Sequence, residues 1–213
     1  ISVNSSFLSN NVPIIELEKP NMNEVIRQNQ EDDKNGNLYK YGVSIMCDID
    51  TENSGKWETL EDGSKVWRLS ISIEGALALG LYYDAFWIPS NGELFVYNQD
   101  KSQVIGGFTN INNHESGVFA NELIIGDFLT LEYHQKGNNK PIIHINEIAY
   151  CYRAIKSLNQ ARDFGDSDSS CEVNANCSEG EDWTNIKKSV CRISIKTGNS
   201  YGWCSGAMIN NTQ

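Results

Sequence analysis

Residues 66–74 read VWRLSISIE. Trp67, Leu69, Ile71 and Ile73 fall on one side of an extended chain, and Arg68, Ser70, Ser72 and Glu74 on the other. A period of two in β-branched and aromatic residues marks a half-buried β-strand. The neighbouring segments repeat the theme. ELFVYNQD (93–100) and DFLTLEYHQ (127–135) alternate, the second placing Leu129, Leu131 and Tyr133 on one face. LALGLYYDAFWIP (77–89) is longer and more apolar and is stopped by Pro89. YGVSIMCDI (41–49) and PIIHINEIAYCYRAI (141–155) complete the set. EDGS, SNGE, IGG, IIGD and KGNNKP carry turn chemistry between them. Short strands at this spacing, without a long helix among them, predict an antiparallel β-sandwich over 37–155.

Outside that block the pattern weakens. Residues 1–36 predict an N-terminal tail or arm. A short helix is expected over NMNEVIRQNQ (21–30), where Met22, Val25 and Ile26 share a face. Residues 156–170 end in a Gly, Asp and Ser cluster and read as a linker. SVCRISIKT (189–197) and SYGWCSGAMI (200–209) follow, joined through Gly198-Asn199 as a β-hairpin. Its apolar residues, Val190, Ile193, Ile195, Trp203, Met208 and Ile209, need a covering surface, because an isolated hairpin is marginal in water.

The net charge is −11, from 17 basic and 28 acidic residues. That sign repels phosphate backbones and anionic lipid, so nucleic-acid binding is not expected. No apolar run is long enough to span a bilayer. The six cysteines form no CxxC pair and show no zinc-type spacing with the three histidines, so neither a metal site nor a cofactor is expected. Disulfides in an oxidising, secreted or cell-surface setting are the better reading. His114 sits in a polar turn, His134 ends a strand and His144 lies within one; none is placed by sequence beside a serine and an acid.

Three features together carry a resemblance. They are FGDSDSSCEVNANCSEGEDW (164–183), KKSVCRISI (187–195) leading into CSGAMINNT (204–212), and the preceding strands with GGFTNINN (106–113) and GDFLTLEYHQ (126–135). The combination resembles the secreted bacterial lysyl-endopeptidase-like serine proteases, whose catalytic domain is a trypsin-like double β-barrel behind a β-sandwich pro-domain. The resemblance implies an all-β chain: a sandwich pro-domain, then an incomplete protease part over 171–213, the first strands of the barrel. The catalytic triad is expected beyond Gln213. The activation cleavage region is expected around Arg162, Gly165, Asp166 and Ser167. In the family, the cysteines matching Cys171, Cys177 and Cys204 pair with partners further along the protease; Cys191 has no counterpart there and is left to face Cys204 across the hairpin. Cys47 and Cys151 remain for the sandwich, as a disulfide or as two buried thiols. A bond there closes about 100 residues and stabilises by about 4–5 kcal/mol in a loop-entropy model.

The function expected on this resemblance is that of a pro-region, a folding assistant and inhibitor of a secreted trypsin-like, lysine-specific serine endopeptidase. The chain by itself is expected to be inactive. Tyr82, Tyr83, Phe86 and Trp87 are candidate contacts to the protease, against an alternative as sandwich core. The partner is the rest of the protease domain or another chain covering the hairpin at 186–209. The competing expectation is a non-catalytic binding or structural subunit of a cell-surface complex.

Overall fold

A computed structural model describes residues 8–9, 11–153 and 178–209. In chain order the elements are β1 (Ile14–Glu16), α1 (Met22–Lys34), β2 (Lys40–Asp50), β3 (Lys56–Thr59), β4 (Lys65–Ser72), β5 (Ala78–Trp87), β6 (Gly92–Asn98) and β7 (Val104–Phe108). They continue with β8 (Phe119–Ala120), β9 (Ile124–Ile125), β10 (Phe128–Gln135), β11 (Ile142–Cys151), α2 (Thr184–Lys187), β12 (Val190–Thr197) and β13 (Ser200–Ala207).

The strands make two sheets in a sandwich-like arrangement. One runs β1-β4-β10-β6-β7, with β3 also on β4. The other runs β12-β13-β2-β11-β5-β8, with β9 also on β5. All pairings are antiparallel except β1 with β4. The core lies between the sheets. From the first come Trp67, Leu69, Ile71, Leu94, Val96, Leu129, Leu131 and Tyr133; from the second, Leu79, Leu81, Tyr83, Ile145, Ile148 and Tyr150. These are alternate residues of each strand, as period-two patterning requires, except in β11, where a bulge between Ile145 and Glu147 shifts the core face to Ile148 and Tyr150.

Residues 66–74 differ from expectation on their polar side. Arg68 and Ser70 are buried as well. The Arg68 guanidinium donates from Nη2 to Ser9 O at 2.7 Å and to Glu58 Oε2 at 2.6 Å. Ser70 Oγ lies 2.9 Å from Thr130 Oγ1. Burial is tolerated because Arg68 Nη2 and the Ser70 hydroxyl found partners, although Arg68 Nε has none among the described residues. The N-terminal arm is responsible: β1 adds in parallel to β4, and Ser9 lies over the sheet.

Helix α1 buries a different face from the one its apolar residues suggest. Ile26 is 48% exposed, while Asn29 and Asp32 are buried. Asn29 Nδ2 donates to Tyr152 Oη at 2.6 Å, and Lys40 Nζ to Asp32 at 2.6 Å. The face follows the spacing 22, 25, 29, 32, and its second half is polar but paired. The Ile-Gly-Gly segment read as a turn lies inside β7 instead. Gly106 has φ 112° at a register shift against β6, where a Cβ would stand 2.4 Å from Leu94 O. A bulge of this kind requires glycine.

The hairpin forms as expected, β12 and β13 pairing from Thr197↔Ser200 to Val190↔Ala207. Of the surfaces open to cover it, the sandwich is the one it meets. Among the described residues no closed barrel forms; β13 pairs with β2 and so extends the second sheet.

Candidate functional site

The seam between the hairpin and the sandwich concentrates the chemistry of the described residues. It begins at the edge of β2. Ser200 pairs with Val43 and Tyr201 with Gly42, but Gly202 pairs with Lys40. Tyr41 is therefore an extra residue on β2, and such a bulge turns its side chain out of strict alternation. Tyr41 is buried away from the inter-sheet core, in a second cluster with Ala78, Ala149, Cys151 and Tyr201. Gly202 lets the strands approach: a Cβ there would stand 2.5 Å from Leu38 Cδ2.

Aromatic rings fill this outer cluster. Trp203 stacks on Tyr41 with centroids 4.2 Å apart, and Tyr201 lies 5.0 Å from Tyr82. Arg192 sits over the Trp203 ring at 4.3 Å, a cation–π contact. Tyr41 Oη and Ser194 Oγ are 2.5 Å apart. A cavity of about 570 Å³ opens beside them, lined among others by Tyr82, Leu123, Arg192 and Ser194.

Glu147 lies at the centre of the seam. Its residue is 2% exposed, on the outer side of β11. Its carboxylate accepts from Ser44 of β2, Tyr201 of β13 and Lys196 of β12. Burial alone pushes this carboxyl upward. The Lys196 ammonium and the two hydroxyls outweigh burial and hold it below the usual carboxylate value. The Tyr201 hydroxyl is pushed well up, first by burial and then by the carboxylate it donates to.

The three histidines have separate partners. His114 Nδ1 lies 2.8 Å from Ser116 Oγ within one turn. His134 Nε2 lies 2.6 Å from Glu132. His144 bridges strands, with Nε2 2.9 Å from Asp48 and Nδ1 against Asp84. Hydrogen bonds to Asp48 and then Asp84 raise the His144 pKa, against a smaller opposing effect of burial. The protonated form is thus favoured in the fold. Its contribution is fully present below the unfolded value of about 6.5 and is lost as pH rises through the higher folded value. His144→Asn is expected to lower the urea midpoint at pH 6 and to matter progressively less above it. The effect is small and salt-sensitive, since both aspartates are exposed. Among the described residues no three His, Cys, Asp or Glu side chains gather into a metal site.

Of the residues singled out by sequence, Arg162, Gly165, Asp166, Ser167, Cys171 and Cys177 lie outside the described residues. The candidate Cys47–Cys151 bond is not formed; both are free thiols. Cys151 pairs with Gly42, while Cys47 lies beyond Met46, opposite the bulge in β11. That is five residues along β2, about 16 Å at the usual strand rise and far beyond disulfide reach. The two also face opposite ways, Cys47 toward the inter-sheet core and Cys151 into the outer cluster. Cys191 pairs with Gly206 and Cys204 with Ile193, so these two are not opposite each other either, and both are free. Burial pushes the Cys47 and Cys151 thiols up to about 12. Against a free thiol near 8.5, that leaves far less reactive thiolate at neutral pH. Alkylation of the native protein followed by peptide mapping is expected to label exposed Cys204 first and to reach Cys47 and Cys151 only on unfolding.

The candidate aromatics divide. Tyr83 and Phe86 belong to the inter-sheet core, Trp87 is 50% exposed, and only Tyr82 touches the seam. Sequence reasoning missed Glu147, Ser44, Lys196 and Tyr201. The one signal available was an acid within the otherwise apolar run EIAYCY (147–152).

The hairpin leaves Val190, Ile193, Met208 and Ile209 exposed, and Trp183 and Ile186 are exposed just before it. No solved structure matches the chain. Residues 164–213 match the family model described as lysyl endopeptidase, C-terminal domain. The segment that contains the hairpin is therefore related to lysyl endopeptidases, and the sandwich it docks on lies outside the match.

Proposed function

We propose that the sandwich is the pro-region of a secreted, trypsin-like, lysine-specific serine endopeptidase, and that it acts by holding the first hairpin of the protease part. The observation that carries this reading is the pairing of β13, within the lysyl-endopeptidase-related segment, with β2 of the sandwich. A trypsin-like barrel has many contacts distant in sequence and folds slowly, so a preformed edge that templates its first hairpin speeds assembly. The same edge withholds the hairpin from its place in the mature barrel, which keeps the protease silent.

Cleavage in the region of Arg162 and residues 165–167 frees an amino terminus. In trypsin-like enzymes that terminus forms the buried ion pair that shapes the oxyanion hole, which is then ready to stabilise developing negative charge. The Ser–His–Asp machinery is supplied by protein outside these 213 residues. The exposed apolar residues of the hairpin, Val190, Ile193, Met208 and Ile209, are where the remainder of the protease domain packs.

The test is to add the purified sandwich with its N-terminal arm (residues 1–160) to the mature protease. The expected result is a higher refolding yield and slower cleavage of lysyl peptide substrates. Unchanged yield together with unchanged activity removes the proposal.

A further inference from the structure

The geometry points to a recognition socket on the sandwich. Glu147, seated with Ser44, selects a β-hairpin that carries a lysine and a tyrosine directly opposite each other on its two strands. The identity of that hairpin as part of a protease rests on the function proposed above; the socket itself does not.

Lys196 and Tyr201 are register partners across the hairpin. Both reach the same carboxylate from the two strands, and Tyr201 is fully buried in doing so. Ser44 bonds both the carboxylate and the Tyr201 hydroxyl, the latter at 3.4 Å. The β2 edge supplies backbone pairing that any strand satisfies, including Ser44 N to Asn199 O at 3.0 Å. Backbone pairing gives adhesion without selectivity. The buried carboxylate supplies the selectivity. A hairpin without the cation and the second hydroxyl leaves a desolvated Glu147 carboxylate with Ser44 alone and its charge uncompensated, which is unfavourable.

The experiment uses the 213-residue chain with Glu147→Gln, Lys196→Met and the double variant, followed by amide hydrogen exchange. Each single variant is expected to speed exchange at Tyr201 and Gly202 by about 10- to 100-fold while β4 and β10 keep their protection. In the double variant the effects are expected not to multiply, because each removes the same interaction. Unchanged exchange in the single variants, or effects that multiply independently, overturns the socket. If Glu147→Gln also loosens β4 and β10, Lys196→Met decides alone, since Lys196 is half exposed and outside the core. None of these outcomes depends on protease activity, so the socket and the pro-region role succeed or fail separately.

Discussion

Trp67→Ala is expected to destabilise the sandwich by about 3–5 kcal/mol, the usual range for truncating a large buried aromatic residue. Trp67 is fully buried at the centre of β4, the strand that seats β1, β3 and β10. Its indole also donates to Ser54 O at 2.8 Å, so truncation opens a cavity and removes that carbonyl's donor. Global unfolding followed by near-ultraviolet circular dichroism is expected to show a melting temperature lower by on the order of 10 °C. Trp87→Ala is the control. Its side chain is half exposed at the end of β5, and its removal is expected to cost far less.

Tyr201→Ala is expected to produce a local loss of comparable size. Tyr201 is fully buried between Tyr41 and Tyr82, and its hydroxyl donates to Glu147. Removal takes away ring packing and a partner of a buried carboxylate together, again about 3–5 kcal/mol. Here the chain has a cheaper response than global unfolding, because the hairpin can leave the β2 edge and let water reach Glu147. Amides of β12 and β13 are expected to lose nearly all protection from exchange, while the core strands β4, β10 and β11 keep theirs. Equal loss in the hairpin and the core would show instead that the two form one cooperative unit.

The strands of the sandwich were legible because each has one face in the core. Residues 66–74, 93–100 and 127–135 carry that alternation openly, and the structure places Trp67, Leu69, Leu94, Leu129 and Leu131 where it predicts. The hairpin was legible from Gly198-Asn199 between two alternating runs. What stayed hidden depends on pairing between distant segments. Arg68 and Ser70 read as solvent-facing because nothing local shows that Ser9, Glu58 and Thr130 will meet them. Asn29, near the end of the expected helix, and Asp32, beyond it, gave no local sign of burial because Tyr152 and Lys40 are remote or on another element. The seam was hidden for the same reason. Glu147, Lys196 and Tyr201 are ordinary residues singly and become a site only when β13 pairs with β2. Of the two readings of Cys47 and Cys151, the bond is the one not formed and the free thiols the one seen: the two lie on neighbouring strands, but at different heights and on opposite faces.

The most direct measurement locks the seam covalently in the precursor proposed above. Val43 and Ser200 are register partners across β2 and β13, and opposed Cβ atoms on paired strands lie about 4.5–5.5 Å apart. Val43→Cys with Ser200→Cys is expected to form a cross-link on mild oxidation, identified by peptide mapping. With the linker then cut, the cross-linked precursor is expected to hydrolyse no lysyl substrate until a reductant opens the bond and restores activity. Full activity with the bond intact, or no bond between these two positions in the folded precursor, contradicts the account.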